Sequence, residues 1–323
     1  MTHVAVIRGG AGDEFGVSLK NGIAAIELLR DDPSYAIKDI TVSPGGEWLH
    51  SGFVRTPQQC LLNVDVVLVA SHGPYGEGGI LQRELMRHAV PYTGSDPFAS
   101  AMTLNKLFTK KLLKERSIAL PRSMPVSKDS DYVRAVQNIE HLFGPQYIVK
   151  PIDSGSSFGV QRANGLPELL SALAVAFRKY SRVLVEEFIS GTEVSVSAAK
   201  DFRNQNLYIF PTVEVIPESG QSFFSQTAKE QNQATFIAPA RLSTAQKKEI
   251  TEIVRNAYQA LGLGHYARFD LIVTQNDIYL LEVNTQAQFH QRTPFEEALE
   301  SVGVSKHEFL EQLLNNARSN KIV

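Results

Sequence analysis

Hydrophobic positions in the first hundred residues fall into short unbroken runs and helical stripes. His3–Ile7 and Val64–Ala70 read as buried strands, and between them Leu19, Ile23, Ile26 and Leu29 recur at helical spacing. Gly79–His88 reads as a helix and Val90–Gly94 as a short strand and turn. This strand–turn–helix order predicts a parallel sheet with helices on its faces. The glycine-rich turns Arg8–Gly12 and His72–Gly79 fall at strand ends, where such sheets place ligands.

The pattern then changes. A basic helix is expected over Leu104–Arg116, ended by Leu120-Pro121, and a second region begins near there. Tyr147–Pro151 reads as a strand running into the loop Ile152–Gly159. Leu166–Tyr180 reads as a helix, and Arg182–Phe188, Thr192–Ala199 and Asn206–Ile216 as strands. Pro217–Ala234 is polar with few periodic apolar residues, and a loop of that length in a compact chain is usually functional. Ile250, Ile253, Val254, Ala257 and Leu261 line one helix face. Ala267–Thr274 and Ile278–Val283 predict a hairpin, and a helix near Lys306–Ala317 closes the chain.

Composition narrows the classes. The 323 residues, 43% hydrophobic and 20% charged, suit two or three globular domains. A formal net charge of −2 gives no basic excess for general nucleic-acid binding. Cys60 is the only cysteine, so an internal disulfide is excluded and the cytoplasm is the expected compartment. The start reads as a strand without the basic and apolar regions of a signal peptide. No apolar stretch is long enough to span a bilayer, so no membrane partner is expected.

The hairpin carries the most specific chemistry. Side chains two apart on a strand share a face, so Arg268 and Asp270 point one way, and Glu282 and Asn284 can join them. Two carboxylates and an amide oxygen suit Mg²⁺ beside nucleotide phosphates. An amphipathic hairpin with solvated charges fits the same residues equally well. Asp153–Gly159 follows Lys150-Pro151, and its small residues would let backbone N–H groups approach phosphate oxygens. It lacks a Walker A ending and also reads as a plain loop. Glu186–Ile189 ends a strand whose backbone and carboxylate could hold an adenine edge, with Glu193 near a ribose; an exposed acidic strand end is the alternative.

Taken in order, Lys106, Lys150-Pro151, Gly155–Gly159, Glu186–Ile189, Glu193, Arg268-Phe269-Asp270 and Glu282–Thr285 resemble the ATP-grasp fold. Arg8-Gly9-Gly10 with Glu14 and Ser18, His72-Gly73, Gly76-Glu77-Gly78, Leu81-Gln82 and Pro91–Ser95 complete a pattern similar to the D-alanine–D-alanine ligase family, from Val4 to about Leu314. The resemblance implies an α/β fold (α+β in the ATP-grasp part): an N-terminal parallel-sheet domain over residues 1–100, a central ATP-grasp lobe over 101–187 and a C-terminal lobe over 188–323. It implies a ligase making a dipeptide through an acyl-phosphate for peptidoglycan precursors, using ATP and Mg²⁺, with Mn²⁺ as a substitute. It suggests a homodimer with small-molecule substrates only.

It also assigns roles. Lys106 and Lys150 would bind phosphates, with the Ser156-Ser157 loop closing over them. Glu186 would accept from the adenine amino group, the Glu187 and Ile189 backbone would hold the ring, and Glu193 the ribose. Asp270, Glu282 and Asn284 would bind two Mg²⁺ ions. Glu14 would anchor the first amino acid's ammonium with Ser156, and His72 and Glu77 would lie near its carboxylate. Arg268 would stabilise the tetrahedral oxyanion, and Lys229 would reach the transferred phosphate from a lid. Glu14 and Ser18 capping a helix, His72 as a turn histidine and Lys106 on a solvated basic face with Lys110 remain alternatives.

The departures share one end. After Glu282–Thr285 the family continues through a small residue, Pro, Gly, Met and Thr, whereas this chain has Gln286-Ala287-Gln288-Phe289-His290. Gln288 keeps a backbone N–H but not glycine's freedom at φ > 0. Thr293-Pro294 stands where a Ser-Leu pair would grip the second carboxylate, and Glu230 where a tyrosine often follows the lid lysine. Three readings follow: a D-alanyl-D-alanine ligase, an ATP-grasp ligase with a different acceptor, or a nucleotide-binding protein without catalysis. The complete set of Mg²⁺ oxygens argues against the last.

Overall fold

The computed structural model describes residues 1–155, 159–217, 234–290 and 292–319. Thr2–Gly9 (β1), Tyr35–Val42 (β2), Trp48–His50 (β3), Phe53–Arg55 (β4) and Val66–Val69 (β5) form one sheet in the order β4-β3-β2-β1-β5. β1 is parallel to β2 and β5, while β3 and β4 add an antiparallel edge. Val4–Ile7 are fully buried, as an unbroken apolar run requires when both faces are covered.

Ser123–Ser127 (β6), Gln146–Pro151 (β7), Gln161–Asn164 (β8) and Arg182–Glu187 (β9) make an antiparallel sheet in the order β6-β9-β7-β8. Helices Tyr132–Phe143 and Gly165–Ala176 share its core through Ile139, Phe143, Leu169 and Leu173. Thr192–Phe202 (β10), Gln205–Ile209 (β11), Val213–Pro217 (β12), Ala234–Ile237 (β13), Tyr266–Val273 (β14) and Ile278–Asn284 (β15) make the third sheet. Its order is β13-β12-β10-β14-β15, with β11 also on β10. Helix Thr244–Ala260 packs Ile250, Val254 and Ala257 against Val196, Phe269 and Leu271. An aromatic cluster of Phe202, Phe210, Tyr266, Phe295 and Phe309 continues to Val4 and Leu29, so the first and third sheets share a core.

Several elements differ from expectation for local reasons. The basic helix spans Lys106–Glu115, starting two residues later than expected because the Asn105 side chain accepts from the Leu107 and Phe108 N–H groups and caps it, and a separate helix, Pro97–Leu104, precedes it. Asn206–Ile216 is two strands, β11 and β12. Val90–Gly94 makes only a single bridge, Tyr92 to Val67. The first helix, Phe15–Leu29, buries Ser18, Asn21, Gly22, Ala25 and Leu29, while Ile23 is exposed. Its inner face is therefore partly polar, which an apolar stripe could not reveal.

Candidate active site

The β14–β15 register pairs Arg268 with Asn284 and Asp270 with Glu282, so the four side chains share a face. Asp270 is held from several sides. Arg268 donates to it through Nε and Nη2, both at 3.0 Å, Ser195 Oγ donates at 2.8 Å and Asn284 Nδ2 at 3.3 Å. Burial alone would lower the Arg268 pKa, but Asp270 outweighs it and keeps it above its ordinary value, so the guanidinium stays charged. Among the described residues no three His, Cys, Asp or Glu side chains form a metal cluster. The set here is two carboxylates and an amide, hard oxygens of the kind that Mg²⁺ takes when phosphates supply its other ligands.

Across a cleft with about 740 Å³ of empty space, Lys150, Glu186, Ile189 and Glu193 face Asp270 and Glu282. Buried Glu186 sits 2.6 Å from Lys150 Nζ and 2.7 Å from Lys110 Nζ. Burial works to raise its pKa, but Lys150 and then Lys110 hold it below the ordinary carboxylate range. An adenine amino group would have to share this carboxylate with two ammonium groups. Lys106 donates to the Ser154 carbonyl at the root of the serine–glycine loop. Burial, and then Lys150, lower its pKa. The Glu187 side chain is turned outward to Arg122, which donates to it from Nε at 2.7 Å.

Glu14, Ser18, His72 and Glu77 gather beside the first sheet. Glu14 makes no side-chain cap on the helix; its Oε1 accepts from Gly155 N at 3.0 Å. Burial, then Glu77, raise its pKa. Ser18 Oγ donates to the Glu14 carbonyl and accepts from His72 N. Glu77 Oε2 accepts from Gly73 N at 2.9 Å and lies 3.8 Å from His72 Nδ1. Burial would raise Glu77, but His72, Gly73 and Arg268 together lower it. Gly73 has φ +70°, and a Cβ there would fall 2.4 Å from Glu14 Oε2, so this approach needs glycine. His72 Nε2 is buried without a hydrogen-bond partner among the described residues.

At the other end Gln288 Oε1 accepts from Arg268 Nη1 at 3.5 Å. Thr293 Oγ1 accepts from Glu296 N and caps helix Pro294–Ser301. Burial, then His72, Lys20 and Lys306, lower the His290 pKa to about 4. Ser156, Ser157, Lys229 and Glu230 lie outside the described residues. Sequence reasoning missed Lys110, taken as part of a solvated face. The signal was its i, i+4 spacing from Lys106, which puts both ammonium groups on one helix face. It also missed Asn21 and Ser195, which no motif marks.

The chain is similar to known proteins along nearly its whole length. The family model for the D-ala D-ala ligase C-terminus matches residues 112–315. The chain is 30% identical to the D-alanine–D-alanine ligase of Desulforudis audaxviator, over 98% of each chain. It is 29% identical to that of Syntrophobacter fumaroxidans, over 97% of each. Among solved structures, D-alanyl-alanine synthetase A from Vibrio cholerae has a TM-score of 0.85 at 26% identity, covering 99% of both chains. The VanG D-Ala:D-Ser ligase from Enterococcus faecalis has a TM-score of 0.82 at 25% identity, covering 98% of this chain and 99% of that one. With a matched family model over most of its length and a relative at 30% identity end to end, the chain belongs to the D-alanine–D-alanine ligase family of the ATP-grasp superfamily.

Proposed function

We propose that this chain is an ADP-forming carboxylate–amine ligase that joins two amino acids through an acyl-phosphate, with D-alanine as donor, in peptidoglycan precursor synthesis. The observation that carries this is the shared face of Asp270 and Glu282 turned into the same cleft as Lys150 and Glu186. On this reading the chain divides into lobes at 1–100, 101–187 and 188–323, with nucleotide held between the second and third, and the three separate sheets support that division.

Lys106 and Lys150 hold the phosphates of ATP, Ile189 and Glu193 hold its nucleoside end, and Lys229 with the Ser156-Ser157 loop closes over the transferred group. Asp270, Glu282 and Asn284 hold Mg²⁺, or Mn²⁺, which neutralises charge on the phosphates when bound. Glu14 anchors the donor ammonium, and His72 and Glu77 sit at its carboxylate. The acceptor amine then attacks the acyl-phosphate carbonyl, and Arg268 stabilises the oxyanion with a fixed charge-assisted donor. No helix among the described residues is long and apolar enough to cross a membrane. A cytoplasmic homodimer completes the reading, on family resemblance.

The acceptor end favours a second reading, an acceptor other than D-alanine, because Gln288, His290 and Thr293-Pro294 replace the family's residues there and the structural neighbour from Enterococcus faecalis is named for D-serine. ADP release measured with D- and L-amino acids, singly and in pairs, separates the readings. Release with D-alanine alone supports the first, and release only on adding another acceptor supports the second. No release with any pair refutes the ligase proposal.

A further inference from the structure

Asn21 is fully buried on the inner face of helix Phe15–Leu29, three residues beyond Ser18. Its Nδ2 donates to the Ala287 carbonyl at 3.1 Å and the Ala70 carbonyl at 3.3 Å, and its Oδ1 accepts from Phe289 N at 2.7 Å. The two loop residues it grips flank Gln288. Lys306 Nζ donates to the Phe289 carbonyl at 3.3 Å and is itself paired with Glu296 at 2.8 Å. A backbone bonded on both sides of one residue fixes where that side chain goes, and the Gln288 carboxamide meets Arg268.

Arginine only donates, so the Gln288 oxygen faces Arg268, and its NH₂ forms the other edge of the same amide. An oxygen placed between the guanidinium and that NH₂ edge would accept from both side chains. We propose that the Gln288 side-chain amide is a second donor to the tetrahedral oxyanion, and that Asn21 is the positioning residue that holds it there. This deepens the ligase reading and rests on it. In the step concerned, the acceptor nitrogen bonds to the acyl carbon and the C=O pair moves onto oxygen. When that pair returns, the C–O bond to phosphate breaks, phosphate leaves with the electrons, and the nitrogen gives up one proton to solvent. Arg268 and Gln288 NH₂ would stabilise the oxyanion during the first half of this sequence. A side-chain amide would thus do what a backbone N–H does in a loop that contains glycine.

The test separates the two half-reactions in the full-length protein. Acyl-phosphate formation is read with donor and MgATP alone, by hydroxylamine trapping, and coupling is read as dipeptide formed with acceptor. Gln288→Met removes the amide, and Gln288→Glu keeps an oxygen for Arg268 but cannot donate. Both are expected to lower the coupling kcat by about 10²- to 10³-fold, the usual loss for one oxyanion donor, while trapping stays within about twofold of native. Asn21→Ala should show the same split with a smaller loss, and thermal melting confirms that each variant folds. Coupling at the native rate in Gln288→Met, or equal loss in both half-reactions, overturns the proposal. If the native protein traps no acyl-phosphate with any amino acid, the ligase reading fails first and this inference with it.

Discussion

Lys150 Nζ and Glu186 Oε2 lie 2.6 Å apart with both side chains buried, and Lys110 closes on the other oxygen of the same carboxylate. Taking one anion away leaves two cations close together in a largely buried site. Glu186→Ala is therefore expected to cost about 3–5 kcal/mol of stability, with Glu186→Gln milder because it keeps the shape. The Glu186 pKa is depressed in the folded state, so its contribution is complete above the ordinary value of 4.5 and lost as pH falls through the folded value. Urea midpoints of native and Glu186→Ala protein should differ widely at pH 7 and converge below pH 4.5. A constant difference across that range would show that the charge is not responsible.

Glu14 offers a binding test free of this stability cost. Glu14→Gln keeps an oxygen for Gly155 N but removes the charge proposed to anchor the donor ammonium. A charge-assisted hydrogen bond contributes about 1.5–3 kcal/mol, so the KM for the donor should rise by about 10- to 100-fold with the KM for ATP unchanged. Because burial and Glu77 raise the Glu14 pKa, native donor affinity should weaken with falling pH before an ordinary carboxylate would titrate. A donor KM that is flat in pH and unmoved by the substitution would place the ammonium elsewhere.

How much of this was readable in the residues depends on what kind of contact held each one. The hairpin was legible because strand periodicity alone puts Asp270 and Glu282 on one face, and no distant partner is needed for that. The buried strands β1 and β5 were legible for the same reason. Lys110 was legible only as a neighbour of Lys106 on one helix face, since its burial comes from β7 and β9 carrying Lys150 and Glu186 towards it. Asn21 was further out of reach, because its partners Ala287 and Phe289 stand more than 260 positions away. The short edge strand β4 went unseen because Phe53–Arg55 is exposed throughout and shows no buried alternation, and β3 because three residues are too few to show a period.

His290 should shape the acid limb of the stability curve. Its folded pKa of about 4 lies below the ordinary 6.5, so between those values the unfolded chain binds more protons. Stability then falls as pH drops from 6.5 towards 4, by about 1–3 kcal/mol for this one group after allowing for partial exposure. His265, lowered by burial, adds a change of the same sign. His290→Asn should flatten the loss in melting temperature between pH 7 and pH 5. The same slope in both proteins would mean that His290 is protonated without penalty.

Glu282 provides the sharpest check on the metal assignment. It stands opposite Asp270 in the strand register and lines the same cleft. Mg²⁺ needs near-octahedral oxygen ligands and is held through few protein carboxylates, so losing one of two is expected to abolish turnover. Glu282→Ala should fall below about 1% of native kcat at any Mg²⁺ concentration while its far-ultraviolet circular dichroism stays native. Asp270→Asn should lose activity equally, and stability as well, because Arg268 is buried and Asp270 holds two of its nitrogens at 3.0 Å. The two variants thus divide the carboxylates by what each supports: Glu282 the bound cation, Asp270 the cation and the arginine together. Native-like, Mg²⁺-dependent turnover in Glu282→Ala would remove the metal from this hairpin and the nucleotide phosphates with it.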